Sequence, residues 1–383
     1  MKTMKVALLA TAALAAVSVS ARADDAAAIK AQLEALTARI AQLEAGPALP
    51  AGYSLLTVSE VAPLTLTGEK AADVANTRSH RISVLPTADV PAATTIDWDI
   101  EIRAALTHYM GDTNSEDDTM INARGRVRVK ASTETAVGTV GVDVRFQGSS
   151  DFGGGAYTYM NIAWGWWQMT PDWTFGGGYT GSLSDPGHGM DGWATFGTTI
   201  GYGQGDQEQF RLTWASGPLT WAVALEDNYD ASYTEHTNLA VASRLDYAGD
   251  AFSASLSGYY GPADYSNYDD QWQVAAGADF GLGDMATISV NGAIGDRGGF
   301  ITNDDYASAT AFVSFDLTEA ASIEFSAGHV WNDASADFTK YNAGIYWKPA
   351  DQLKIGVQAD HTDVQGGSTA DWSSAALVAW FTY

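Results

Sequence analysis

From about Thr94 onward the chain alternates apolar and polar side chains with a period of two, and it does so in one segment after another. Trp272, Val274, Ala276, Ala278 and Phe280 share one parity, with Gln271, Gln273, Gly277 and Asp279 on the other. Ile323, Phe325 and Ala327 alternate with Ser322, Glu324 and Ser326, and Leu353, Ile355, Val357 and Ala359 with Lys354, Gln358 and Asp360. Successive side chains of a strand point to opposite faces, so each segment is a strand with one oily and one wet face. The connections alternate as well. Tight ones fall at 134–138, 170–172, 216–218, 248–250, 281–284, 318–320 and 348–351. Longer, acidic ones lie between them, at 111–119, 148–156, 181–206, 227–237, 261–270, 296–305, 332–337 and 365–371. Seven tight turns and eight long loops predict sixteen strands.

An even strand number with short turns at one end and long loops at the other is the pattern of a transmembrane β-barrel. Lipid offers no hydrogen-bond partner, so such a sheet must close on itself. Parity alone does not say which face is inside, because a soluble sandwich would bury the apolar one. Three other features decide. The chain opens with Lys2 and Lys5, a small apolar run from Val6 to Ser20 and Ala21-Arg22-Ala23, the layout of a secretory signal over residues 1–23. No apolar stretch of about 20 residues follows it, which argues against helical spans. Aromatic residues recur near the ends of the predicted strands, among them Trp98, Tyr109, Trp221, Trp272, Trp331, Tyr346, Trp347 and Trp372, as expected of rings at the headgroup level. The expected fold is therefore an all-β, sixteen-stranded antiparallel barrel over residues 94–383.

Two segments precede the barrel. In residues 24–45, Ile29, Leu33, Leu36, Ile40 and Leu43 follow a heptad spacing that predicts a short helix with a coiled-coil seam, stopped by Gly46 and Pro47. Two heptads are marginal for an isolated helix, so this face either pairs with other copies of the chain in a coiled coil, packs against its own barrel or stays mobile. Residues 46–93 are rich in Pro, Ala and Thr. They read either as a periplasmic linker or as a small hairpin pairing Tyr53–Val58 with Ile82–Leu85.

The segment around residue 126 carries the strongest functional signal. Arg124, Arg126, Arg128 and Lys130 occupy alternate positions, separated by Gly125, Val127 and Val129. A cation facing lipid at the bilayer midplane costs roughly 2–4 kcal/mol, so this ladder is expected to face the lumen. By parity Arg103 and Arg145 join it in a basic wall. Asp99, Glu101 and Asp143 stand on neighbouring strands, so the arginines either serve transport or simply pair with these carboxylates. The chain carries 46 Asp+Glu against 20 Lys+Arg, a net charge of −26, which makes nucleic acid a poor partner. With no cysteine, the exported chain must be held without disulfides. No G-x-S-x-G, H-E-x-x-H or P-loop is present. The remaining route to an enzyme is a lipid hydrolase using an outward histidine near a strand end (His108, His329 or His361).

The final strand puts Leu377, Ala379, Phe381 and Tyr383 on one parity and ends on an aromatic residue. In this it resembles outer-membrane barrels, whose terminal aromatic is read by the barrel-assembly machinery, with Phe381 and Tyr383 as the implied signal. Tyr383 departs from the commoner phenylalanine. Strand count and the long loop 181–206 look like the general diffusion porins, and the short heptad segment followed by Leu49–Leu56 resembles the alphaproteobacterial porin family. The resemblance implies a water-filled channel for small polar solutes and ions, a homotrimer and no resident cofactor. The glycine run Gly176–Gly178 would let the trimer's walls approach. It also implies that loop 181–206 folds into the barrel. Its Asp185, Asp191 and Asp206, with His188 between, would then set a transverse field against the basic wall. Carboxylates of the outer loops would either bridge Ca²⁺ or Mg²⁺ to lipopolysaccharide or form solvated, mutually repelling loops. A solute-specific channel remains the alternative, with Trp167 and Tyr202 as its aromatic path.

Overall fold

The computed structural model describes residues 56–67, 69, 77–84, 94–111, 118–151, 155–188, 205–227, 239–250, 252–262, 270–283, 285–296, 305–333, 336–365 and 371–383. All of them belong to the compact unit Leu56–Tyr383. The signal segment 1–23, the heptad segment 24–45 with Ile29, Leu33, Leu36, Ile40 and Leu43, and also Asp191 and Tyr202, lie outside the described residues.

Two short strands come first, β1 (Leu56–Val61) and β2 (Ser79–Val84). Sixteen longer ones follow: β3 (Thr94–Gly111), β4 (Asp118–Thr135), β5 (Gly138–Asp151), β6 (Gly155–Gln168), β7 (Trp173–Gly181), β8 (Asp206–Ser216), β9 (Leu219–Asp227) and β10 (Leu239–Ala248), then β11 (Phe252–Gly261), β12 (Gln271–Gly281), β13 (Ala286–Asp296), β14 (Asp305–Thr318), β15 (Ala321–Asn332), β16 (Asp337–Ala350), β17 (Leu353–Gln365) and β18 (Trp372–Thr382). Each pairs antiparallel with the next. β18 returns to β3, in register from Trp372↔Gly111 to Thr382↔Glu101, and closes the ring. The architecture is a closed sixteen-stranded antiparallel barrel. Each strand of the ring is paired on both edges along part or all of its length, and the closed ring leaves no open sheet edge, which is the condition for standing in lipid.

The burial pattern resolves the parity. On β3, Asp97, Asp99, Glu101, Arg103, Ala105 and Thr107 are buried, while Ile96, Ile102 and Leu106 are exposed. On β17, Val357 is 59% exposed and Gln358 is fully buried. The apolar parity therefore faces out and the polar parity faces the lumen, the inverse of a soluble sandwich. The outward aromatics include Trp221, Trp272, Trp331 and Trp347. Tyr346 does not belong with them: it is buried inside the barrel against Trp380. Tyr109 and Trp372 also stand on the inward parity of their strands.

β1 and β2 pair as a hairpin with Val58 opposite Ile82, and β2 pairs with the start of β3 from His80↔Trp98 to Val84↔Thr94. β18 and β2 thus share one edge of β3, one after the other. At their junction Tyr383 exchanges backbone hydrogen bonds with Ile100 at 2.9 Å each way, and the rings of His80, Trp98 and Tyr383 gather at centroid distances of 5.1–5.6 Å. Phe381 and Tyr383 face outward at this short-turn rim, 48% and 62% exposed.

Candidate functional site

The basic wall is built by three adjacent strands. Arg103 of β3, Arg124, Arg126, Arg128 and Lys130 of β4, and Arg145 of β5 all stand on the inward parity. Outward Val127 and Val129 are exposed, and at Gly125 the outer surface is open. Each guanidinium is engaged. Arg103 and Arg124 reach Glu101 at 2.6 and 3.0 Å. Arg126 donates to Gln147. Arg128 forms a fork on Asp143, with Nε at 2.9 Å and Nη2 at 2.7 Å. Lys130 lies over the Trp166 ring, 5.6 Å from its centroid. The lone cation on β2, Arg81, is bidentate to Asp97 at 2.6 and 2.7 Å, and that bond holds its guanidinium above the ordinary value.

The acid set against Arg128 and Arg145 comes from the link between β1 and β2. Leu64 to Glu69 make a turn inside the barrel. The Leu66 amide donates to the Glu69 carboxylate at 2.6 Å, and the Glu69 amide to the Leu66 carbonyl at 3.0 Å. The same carboxylate accepts from Arg128 at 3.0 Å and from Arg145 at 2.5 Å, and its side chain is only 4% exposed. Arg128 also donates to the Leu64 carbonyl at 2.7 Å, and the Leu64 amide to Ser79 Oγ at 3.0 Å. Arg211 of β8 donates to the Thr67 carbonyl.

Loop 181–206 enters the barrel at its root. Ser182–His188 runs across the inner faces of β9 to β13. Glu226 accepts from Ser182 Oγ at 2.6 Å and from the Leu183 amide at 3.0 Å. Arg244 donates to the Asp185 carbonyl, and Ser257 and Gln273 to the Ser184 carbonyl, each at 2.7 Å. Asn291 reaches the His188 carbonyl at 2.6 Å, and His188 Nδ1 stands 2.6 Å from Asp279. Four of these bonds end on the loop's backbone carbonyls, which ties that part of its path to the wall irrespective of side chain. The Asp185 carboxylate accepts the Gly187 amide, capping its own turn at 2.7 Å. Asp206 begins β8 on the outward parity, next to buried inward Gln207.

Two in-folded segments meet at one residue. Arg211 Nη2 donates to the Gly181 carbonyl at 2.9 Å and to Gln209 at 2.7 Å, while Nη1 holds Thr67. Its guanidinium also lies over Trp164 at 5.2 Å. Arg211, Arg244, Glu226 and Glu69 were not singled out from the sequence. Arg211 was accessible there, since it shares the polar parity of Gln207 and Gln209. Trp167, read as lining the path, points outward and donates to the Val137 carbonyl at 2.8 Å; Trp164 and Trp166 are the lumenal rings. His108, His329 and His361 face out beside Thr119, Thr339 and Ser373, at 2.7–2.9 Å.

On the side of the barrel away from the basic wall, a lumenal space of about 740 Å³ lies along β12 to β17 at the short-turn end. Asp279, Asp316, Glu319 and Glu324 line it, with Lys348 and Lys354. Lys354 pairs with Glu324 at 3.2 Å and lies over the rings of Tyr346 and Trp380.

No family model matches the chain, and no curated protein matches it in sequence. Solved structures do match in shape. The outer membrane channel DcaP of Acinetobacter baumannii aligns with a TM-score of 0.61 at 15% identity, covering 78% of this chain and 99% of the other. A loop-deletion mutant of OmpT, an outer membrane protein of Vibrio cholerae, aligns with a TM-score of 0.60 at 14% identity over 76% and 99%. A mutant of the Rh. blastica porin aligns with a TM-score of 0.53 at 18% identity over 75% and 100%. At such identities the likeness is one of fold, and the fold is that of the outer-membrane porins: a closed sixteen-stranded barrel with a polar, charged lumen.

Proposed function

We propose that the protein is an outer-membrane porin, a channel for passive diffusion of small polar solutes and ions, with no catalytic role. The observation that carries this reading is the inverted parity. Sixteen strands enclose an interior wide enough for water, and their inward side chains are in large part Arg, Asp, Glu, Gln, Ser, Thr and Asn, with small apolar clusters such as Tyr346, Val378 and Trp380 among them. Lining of that kind replaces part of a solute's hydration and biases it by charge without transforming it. The outward histidines sit on the lipid side beside hydroxyls, as girdle residues do.

Liposome swelling with sugars of graded size tests the reading. Proteoliposomes should swell with small sugars and stop swelling above a size limit. Vesicles that stay impermeable to all of them, or that release fatty acid from their lipid, would overturn it.

The chain acts as a homotrimer, for which the heptad seam of residues 24–45 is the support. Its partners are lipopolysaccharide, bridged through Ca²⁺ or Mg²⁺ at the acidic outer loops, and the assembly machinery that reads Phe381 and Tyr383. Deleting residues 24–45 should loosen the trimer on native gels while leaving the channel conducting. A full chain that migrates as a monomer in mild detergent would contradict this.

A further inference from the structure

We propose that the Leu64–Glu69 turn is a fixed wall of the pore's constriction, continuous with the root of loop 181–206, and that Thr65 on its free side is a residue that sets ion selectivity. The proposal rests on the channel reading and deepens it by naming a second constricting segment and the residue through which that segment meets the permeating ions.

The turn is pinned to three strands. Arg128 of β4 donates to the Leu64 carbonyl at 2.7 Å and to Glu69 at 3.0 Å, Arg145 of β5 reaches the same carboxylate, and Arg211 of β8 holds the Thr67 carbonyl. The Leu64 amide adds a bond to Ser79 Oγ of β2. Each guanidinium also keeps a partner on the wall: Asp143 for Arg128 at 2.7 Å, Asn161 for Arg145 at 2.9 Å and Gln209 for Arg211 at 2.7 Å. A buried arginine that bonds wall and turn at once fastens one to the other, because its planar fork has donors enough for both and loses acceptors if either side gives way. The arginines therefore hold the turn in place and present little free charge of their own.

Arg211 joins the two in-folded segments. Its Nη1 takes the Thr67 carbonyl of the turn, and its Nη2 takes Gly181, the residue from which Ser182–His188 sets out across β9 to β13. The turn lies against β4, β5 and β8, so the two segments together line one side of the lumen from β4 to β13. The space of about 740 Å³ along β12 to β17 lies beyond them, with Asp279, Asp316, Glu319 and Glu324 in its lining.

Within the turn Leu64 is buried and Thr65 next to it is exposed, as are Ala62 and Pro63 just before. Both neighbours of Thr65 in the chain are bonded, Leu64 to Arg128 and Ser79 and Leu66 to Glu69, which fixes the backbone that carries it. Exposure of a segment clasped inside a barrel is exposure to lumenal water. This face of the constriction carries no charge, across from a lining that is mostly acidic. A charge placed at Thr65 meets each passing ion at close range, whereas charges at the wide mouths are screened beyond about 8 Å at physiological ionic strength.

The test is single-channel recording of full-length Thr65→Cys in planar bilayers, before and after reaction with two small methanethiosulfonates, one ending in a trimethylammonium group and one in a sulfonate. Wild type has no cysteine and is the blank for both reagents. Complete reaction is checked from the mass of the denatured chain. The ammonium adduct should lower the current about twofold and move the reversal potential in a KCl gradient toward chloride. The sulfonate adduct should move it toward potassium, and both shifts should shrink as salt rises. Adducts of opposite sign separate a charge on the conducting path from a structural disturbance, which would not follow the sign. A fully reacted channel with the current and reversal potential of the unreacted one overturns the proposal, and so do two adducts that shift the potential the same way. A wild-type protein that forms no channel at all strikes the porin reading instead.

Discussion

The arginines of the wall behave as a set of buried ion pairs, and their energetics follow from what each one would be left with. Arg128 is 2% exposed and sits in a fork on Asp143, which is fully buried. Removing Asp143 takes one of the two carboxylates bonded to Arg128, a loss of at most about 3–5 kcal/mol, whereas removing both members and filling the space with apolar side chains is far cheaper. Asp143→Asn should therefore lower the temperature at which the heat-modifiable band unfolds on gels. The pair Asp143→Leu with Arg128→Met should recover part of that loss, the remainder reflecting the Glu69 and Leu64 contacts that Arg128 also makes. If the double variant is as unstable as the sum of the two singles, the pair is not the coupled unit described.

At the scale of single elements, β7 shows how local packing explains what composition left open. Its glycine run is used by rings. The Trp164 indole lies where a Cβ of Gly176 would stand on the inside, and Phe210 lies across Gly177 on the outside. That placement removes the run as an argument for close approach between trimer walls. Gly178 has a φ of +136°, and a Cβ there would overlap the Ala163 carbonyl oxygen of β6. Gly178→Ala should thus cost about 1–3 kcal/mol from backbone conformation alone, plus the β6–β7 pairing, while Gly125→Ala on outward-facing β4, with open space around it, should be silent. Comparing refolding yields in detergent reads both; equal yields would refute the contrast. The sixteen strands and their turns were legible because each is written locally, in period two and in turn residues. What was not legible is long-range. Glu69 meets Arg128 and Arg145 across 59 and 76 residues, and nothing in Leu64–Glu69 separates it from a linker. Trp167 was misplaced by a local irregularity. The β5–β6 register shifts at Arg145/Phe146, so the inward parity passes from Tyr159 and Asn161 to Ile162, Trp164 and Trp166. A parity count carried through that bulge lands on the wrong face.

For the whole molecule the question is which side of the barrel carries current, and ion selectivity answers it. Along β3 to β8 the arginines are compensated by Glu101, Asp143 and Glu69, and the Leu64–Glu69 turn fills the space beside them. Along β12 to β17 the open space is lined by Asp279, Asp316, Glu319 and Glu324 against Lys348 and Lys354, and one of those lysines is already paired. A path of that composition enriches cations, and the chain's net charge of −26 adds to the effect at the mouths. Charges spread over wide mouths are screened beyond about 8 Å at physiological ionic strength, whereas lining charges act on an ion at contact. Wild type should therefore be cation-selective at low salt, with the preference declining as salt rises but persisting where the lining dominates. Two double variants locate the path. Asp316→Asn with Glu319→Gln removes lining carboxylates and should move the reversal potential strongly toward zero. Arg124→Gln with Arg126→Gln relieves Glu101 of one partner and should move it slightly the other way. The measurement is the reversal potential across a tenfold KCl gradient for wild type and both variants. If the arginine pair shifts it more than the acidic pair does, ions travel along β4 and the Leu64–Glu69 turn does not keep them from it.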